Sequence, residues 1–348
     1  MGNAAIVITT IFPPNDAIRE IARQCSRRGL DFIVAGDAKG PSEFAVEGAA
    51  FLDLAAQRAM GRLGEICPPN TYARKNLAYL EAIRRGACYI RETDDDNVPR
   101  ESFWASPSSR VSGRFVRRPG WVNAYRFFSE RFVYPRGYPI DLALADWGNL
   151  AMDRADSGDG GFGASSWACL VQQGLADGDP DVDSIYRMTH ELPLSFEKRE
   201  PLILGEGVWC PFNSQNTVFF PEVYPLLYLP ATCSFRMTDI WRSFIAQRIL
   251  WSCGWHLSFH QASVIQHRNP HDLLRDFRDE VPGYLGNRKL VALLERLDLG
   301  CGIRHMKTNL ERCYAALIRE GYFHAREEVL VAAWLSDLPR AAGAPGSL

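Results

Sequence analysis

The stretch "NTYARKNLAYLEAIRRGACYIRETDDDN", Asn70 to Asn97, decides how this chain is built. Ala73, Leu77, Leu80 and Ile83 recur at helical spacing and Gly86 stops the pattern, which predicts a helix from Asn70. "ACYIRET" then reads as a strand that runs directly into Asp94, Asp95 and Asp96. A right-handed crossover of this kind delivers the carboxyl end of the strand to the sheet edge at which α/β folds bind ligands. Folding alone asks for no run of adjacent carboxylates, since like charges repel and raise each other's pKa. In extended chain, residues two apart point the same way, so Asp94 and Asp96 reach one point while Asp95 faces elsewhere. Two hard carboxylates at a strand end suit Mg²⁺ or Mn²⁺ and leave coordination positions for a diphosphate. The bland alternative, a solvated acidic turn, fits poorly with a buried strand immediately before it.

Upstream, "AAIVITTI" is a near-continuous apolar and β-branched run, the mark of a strand buried on both faces of a parallel sheet. Asn15 and Asp16 offer caps for a following helix, Ile18, Ile21 and Ala22 give it an apolar face, and Gly29 ends it before the strand "LDFIVAG". Downstream of Asp96 turn formers dominate, with short strands expected between them. "GDGGFG", Gly158 to Gly163, matches G-x-G-x-x-G by letter, but no apolar strand precedes it, so it reads as a flexible loop. From "MTDIWRSFIAQRILWSCG" onward helix dominates, with two or three further helices between Tyr284 and Leu338. The expected organisation is a catalytic α/β region over 1–270, a helical region over 271–340 packed on it, and a disordered tail over 341–348.

At 348 residues with 47% hydrophobic and 11% aromatic content, the chain supports a substantial core. Its 39 Lys and Arg against 41 Asp and Glu give a net charge of −2, without the basic excess of a nucleic-acid binder. Nine scattered cysteines lack zinc-site spacing and read as reduced thiols, and no apolar run is long enough for a signal peptide or membrane span. A cytoplasmic protein without a membrane span is expected, and nine tryptophans leave room for a homo-oligomer interface.

Other residues carry weaker signals. Arg136 in "YPRGYPI" sits between turn residues and aromatics, where a planar fork can grip a phosphate or sugar. Asp239 opens a helix, a place where capping alone also favours a carboxylate. His256, His260, His267 and His271 cluster, and "QHRNPHDLL" offers two imidazoles and Arg268 for a third metal contact or a phosphate clamp.

"TDDD" after a helix of the type "ARKNLAYL", then "RGYP", then "DIWRSFIAQ", in this order, resembles the STELLO glycosyltransferase family and, more distantly, the reversibly glycosylated polypeptides that act as UDP-arabinopyranose mutases. The likeness runs from "VITTIFPP" through "FNSQNT" to "QHRNPHDLL". It implies a GT-A-like (Rossmann-like) α/β fold: a nucleotide-sugar-binding sheet flanked by helices, with a helical C-terminal extension. By position, the resemblance makes Asp94 and Asp96 the metal-side acids and gives Asp95 ribose or sugar contacts; the histidine cluster adds His271 as a candidate third metal contact. It places Thr9, Thr10 and Asp37 near base and ribose, and turns Arg74 or Lys75 to the phosphates or the sugar. Arg136 matches the mutase arginine associated with a glycosyl adduct, and Asp239 matches the acid of the mutase "DDMW" segment. The second mutase arginine, seven residues on, is replaced by Ala143. Plant STELLO proteins carry a membrane anchor, so the chain is expected to correspond to their soluble catalytic part.

The leading expectation is therefore a metal-dependent glycosyltransferase using a nucleotide diphosphate sugar and an acceptor still to be identified, with Mn²⁺ or Mg²⁺ as cofactor and Asp239 as general base. The alternatives are a nucleotide-sugar mutase with Arg136 near the anomeric carbon, and a non-catalytic nucleotide-sugar-binding partner of another enzyme.

Overall fold

A computed structural model describes residues 3–41, 43–146, 166–269 and 271–339; the glycine-rich run 158–163 and the tail 341–348 lie outside them. The early strands are β1 (Ala5–Thr9), β2 (Asp31–Ala35), β3 (Ala50–Leu52), β4 (Ile90–Thr93) and β5 (Asn97–Pro99). Short pieces follow: β6 (Arg110–Val111), β7 (Arg114–Val116) and β8 (Gly120–Trp121). The later strands are β9 (Trp167–Gly178), β10 (Leu202–Leu204), β11 (Val208–Trp209), β12 (Asn216–Phe219) and β13 (His256–Gln266).

Eleven of these strands form one mixed sheet in the order β3-β2-β1-β4-β12-β9-β13-β10-β7, with β5 pairing β13 and β6 pairing β9. β3, β2, β1 and β4 run parallel, whereas β12 is antiparallel to both β4 and β9. The 3-2-1-4 order is that of a doubly wound nucleotide-binding half, whose ligand crevice lies beyond the carboxyl ends of the two strands at the reversal. Those strands are β1 and β4, ending at Thr9 and Thr93.

The apolar run of β1 is explained by burial on both faces. Ile6, Ile8, Phe32 and Val34 pack against Ile18 and Ile21 of the helix Asp16–Arg28. Ala5, Val7, Ile33 and Ala35 face the larger core with Leu77 of the helix Lys75–Arg84. Each buried Ile or Phe contributes about 1.5–3 kcal/mol. Asn15 caps the first helix through Ile18 N at 2.9 Å, and Gly29 closes it at φ 64°, a conformation that favours glycine. The second helix begins later than its periodicity predicts, at Lys75, because Tyr72–Arg74 forms a 3-10 turn.

The helix Thr238–Ser252 is buried on nearly every face, with Ile240, Trp241, Phe244, Ile245 and Ile249 all in the core. Helices Leu273–Arg296, Met306–Arg319 and Arg326–Asp337 pack around it, and the first of them starts earlier than Tyr284 because Asp272 caps it through the Leu274 and Arg275 amides. Among the described residues no helix is long and apolar enough to cross a membrane.

Two buried polar groups generate predictions. Glu92 of β4 is fully buried and takes a two-pronged ion pair from Arg242, at 2.7 and 3.1 Å, plus the Tyr79 hydroxyl. Arg242→Met should cost about 3–5 kcal/mol in urea unfolding by stranding that carboxylate, and adding Glu92→Gln should recover much of the loss. A loss below about 1 kcal/mol would mean that Glu92 is satisfied without the guanidinium.

Asp183 caps the helix Ser184–Thr189 through Tyr186 N at 2.8 Å; burial, offset only in part by that N–H and reinforced by Glu280, pushes its carboxyl up to about 7. The folded state thus holds this proton more tightly than the unfolded chain, so the stabilisation is complete below about pH 4 and lost as pH rises through about 7. Unfolding midpoints measured across that interval should fall less in Asp183→Asn than in the wild type; parallel curves would exclude Asp183 as the titrating group.

Candidate active site

The carboxyl ends of β1 and β4 open into a cleft of about 520 Å³. Thr9, Thr10, Asp37, Asp94, Asp95, Asp96, Arg136, Asp239 and His271 all line it. Continuing the parallel register past Val7 and Glu92, Thr10 falls opposite Asp95 and donates its hydroxyl to Asp95 Oδ2. Asp95 also receives Asn269 Nδ2 at 3.4 Å.

Asp96 is reached from a different element. β5 follows it immediately and pairs with the end of β13, Asn97 opposite Gln266, which draws Gln266 Nε2 to 3.2 Å and Asn269 N to 3.2 Å from the Asp96 carboxylate. Asp94 takes Tyr72 OH at 2.8 Å and Lys75 Nζ at 3.4 Å, both on Oδ1.

All three acids hold their protons more tightly than usual. Burial pushes Asp94 up to about 6, with Lys75 opposing and Asp96 adding to the shift. Burial also raises Asp95 and Asp96, reinforced by the neighbouring carboxylates. Buried carboxylates with raised proton affinity are groups whose charge a nearby cation would stabilise.

Among the described residues no three His, Cys, Asp or Glu side chains are gathered closely enough to hold an ion alone. Mg²⁺-type binding asks for less, one or two carboxylates with substrate phosphates and water completing the shell. Asp94 and Asp96, which both line the cleft, are the carboxylates that would hold such an ion. His271 lines the cleft with its Nδ1 paired to Asp276 Oδ2 at 3.1 Å, which orients the ring and leaves Nε2 as the nitrogen for any metal contact.

Arg136 and Asp239 meet in the cleft although 103 positions separate them in sequence. The Arg136 guanidinium grips Asp181 through Nε and Nη2, both at 2.8 Å, and gives Nη2 to both Asp239 oxygens at 3.0 and 2.9 Å. Ser214 N and Oγ donate to Asp239 Oδ2 at 3.2 and 3.3 Å. Burial acts upward on Asp239, but the charge and hydrogen bond of Arg136 override it and hold the carboxyl below its usual range. Asp239 does not cap its helix: no side-chain cap closes the helix start, and the carboxylate is turned to the arginine.

Two expected contacts take other places. Arg74 lies outside the cleft, bonding Gln57 Oε1 at 3.1 Å and the Cys67 carbonyl at 2.8 Å. Lys75 is wholly buried and donates to the Thr93 carbonyl at 2.8 Å, the Ser214 carbonyl at 3.1 Å and Tyr72 OH at 2.9 Å, so it supports Asp94 from behind and does not face a ligand. Asp37 spends its oxygens on the Ala38, Asn70 and Thr71 amides, which shapes the cleft wall.

Tyr72, Asp181, Ser214, Arg236, Gln266 and Asn269 line the cleft without having been singled out in the sequence. Asp181 had a readable signal: "DGDPDVDS" follows the apolar β9 as "TDDD" follows β4. The others show nothing locally that separates them from ordinary polar residues.

A family profile described as STELLO glycosyltransferases matches residues 236–343, which take in Asp239 and "QHRNPHDLL" but not the aspartate triplet. The chain is 27% identical over 357 residues to "Probable glycosyltransferase STELLO1" and 26% identical over 355 residues to "Probable glycosyltransferase STELLO2", both of Arabidopsis thaliana. Each comparison covers 96% of this chain but only 44% of the relative, so the chain spans less than half the length of the proteins it matches. A mycobacterial protein of solved structure superposes over 84% of this chain and 74% of its own, at a TM-score of 0.41 and 9% identity, too distant to carry an argument. The chain is thus similar to the STELLO glycosyltransferases, by profile at its carboxyl-terminal end and by sequence along nearly its whole length.

Proposed function

We propose that the chain is a metal-dependent glycosyltransferase that takes a nucleotide diphosphate sugar as donor. The observation that carries the reading is the convergence of Asp94, Asp95 and Asp96, all with raised proton affinity, on a cleft at the switch point between β1 and β4. Asp94 and Asp96 would hold Mn²⁺ or Mg²⁺ against the diphosphate, where a dication neutralises charge growing on the leaving group. Thr9, Thr10 and the wall shaped by Asp37 would receive the nucleoside, with Asp95 held in the cleft by the Thr10 hydroxyl.

Asp239 is the candidate general base. Its low pKa keeps it ionised at neutral pH, and Oδ1 accepts only from Arg136 Nη2 among the described groups, whereas Oδ2 also receives Ser214. An acceptor hydroxyl would deliver its proton to Oδ1 as its oxygen attacks the anomeric carbon, the diphosphate departing with the bonding electrons. The mutase reading fits less well: two carboxylates and the Arg236 carbonyl occupy Arg136, and Ala143 stands where the mutase pattern has its second arginine. Nine free thiols support a reducing compartment such as the cytoplasm.

Sugar release or transfer from a panel of nucleotide sugars, followed with Mn²⁺ and after chelation, provides the test. Asp94→Asn and Asp96→Asn should each lower turnover about a thousandfold and remove its Mn²⁺ dependence. Asp239→Asn should cost about 10²–10⁴-fold in kcat. Full activity in either triplet variant would overturn the metal assignment, and a furanose product formed without acceptor would favour the mutase.

A further inference from the structure

The cleft also contains two guanidinium groups with hydrogen-bonding capacity left over. Arg236, 7% exposed, comes from the 3-10 turn Phe235–Met237 and gives Nε to Glu280 Oε1 at 2.9 Å. Its Nη2 is buried with no hydrogen-bond partner; Asp181 Oδ1, the nearest carboxylate oxygen paired with it, is 3.8 Å away. Arg268, from the segment after β13, gives Nη2 to Asp276 Oδ2 at 2.8 Å, and its buried Nε has no partner. Both side chains line the cleft.

The neighbouring carboxylates are already engaged. Asp181 is gripped by Arg136, Asp276 also receives His271, and Glu280 accepts Ser184 N and Oγ and the Tyr284 hydroxyl. Burial, and after it the charge of Arg236, loosens the Arg268 proton; Arg187 is pushed down to about 8 by burial and then by Arg268 and Arg236. Buried donors without acceptors, on guanidinium groups that line a cleft, match an oxyanion such as carboxylate or phosphate.

We propose that Arg236 and Arg268 form an oxyanion subsite for the acceptor, which therefore carries a carboxylate or phosphate near its reacting hydroxyl. The assignment to the acceptor rests on the transferase reading above, in which the donor diphosphate is held at Asp94 and Asp96. It is favoured by position, since Arg136, which holds the candidate base Asp239, donates to the Arg236 carbonyl. The exposed ring of Phe235, beside Tyr72 at 5.7 Å between centroids, borders the same cleft and offers an apolar face to the acceptor body.

Calorimetry on the intact protein separates the two possible sources of the anion. Inorganic phosphate and glucuronate, titrated in EDTA, should bind without metal, and with unchanged affinity once a nucleoside diphosphate and Mn²⁺ saturate the protein. Arg268→Gln and Arg236→Gln, each checked for a native unfolding midpoint, should weaken phosphate about tenfold or more while leaving nucleoside diphosphate with Mn²⁺ within about twofold. Competition between phosphate and the nucleotide in the wild type would overturn the proposal and make the arginines a donor clamp, a result that does not depend on any variant folding. Absence of probe binding to the wild type would also overturn it. Retained nucleotide binding in Asp94→Asn would instead sink the metal reading and leave the arginine result standing.

Discussion

The Lys75 ammonium, wholly buried, donates to the carbonyls of Thr93 and Ser214, to the Tyr72 hydroxyl and to Asp94. Those partners lie on the end of β4, the segment before β12 and the turn that begins the helix Lys75–Arg84. A charge with no access to water keeps its place only if every proton finds an acceptor. Meeting that demand joins three separate pieces of chain at the point where the aspartate run begins. The cleft inherits its floor from this one ion.

Above that floor the cleft has two electrostatic characters. Toward β1 and β4 burial, reinforced by neighbouring carboxylates, raises the proton affinity of Asp94, Asp95 and Asp96. Toward the helices Thr238–Ser252 and Leu273–Arg296 the arginines prevail, and Asp239, Asp276 and Glu280 are all held below their usual range even though burial acts upward on each. The two ends favour ligand groups of opposite charge.

The core of this arrangement was legible because strand ends leave strong marks in sequence. Two-sided burial requires an unbroken apolar run, as in "AAIVITTI", and a parallel crossover then fixes where the run must stop. Asp94, Asp95 and Asp96 could therefore be assigned to the cleft before any contact was known. Arg74 and Lys75 were less readable: at adjacent positions on a turn entering a helix, both carry cationic side chains, and only packing turned one to Gln57 and the other beneath Asp94. The ring of His271 is oriented by Asp276, an acid five residues on whose position relative to the cleft depends on a helix that begins earlier than its apolar pattern suggests.

By itself the sequence determined the α/β class, the doubly wound start and the acidic strand end, because periodicity and charge crowding are local properties that any fold of this chain must accommodate. Tertiary structure decided what faces those acids. Gln266 and Asn269 reach Asp96 only through the antiparallel pairing of β5 with the far end of β13, and Arg136 reaches Asp239 across 103 positions of chain. Such contacts are set by how the sheet closes and which helix packs on it. No spacing in the sequence encodes them, since the partners are neighbours only after the hydrophobic layers have come together.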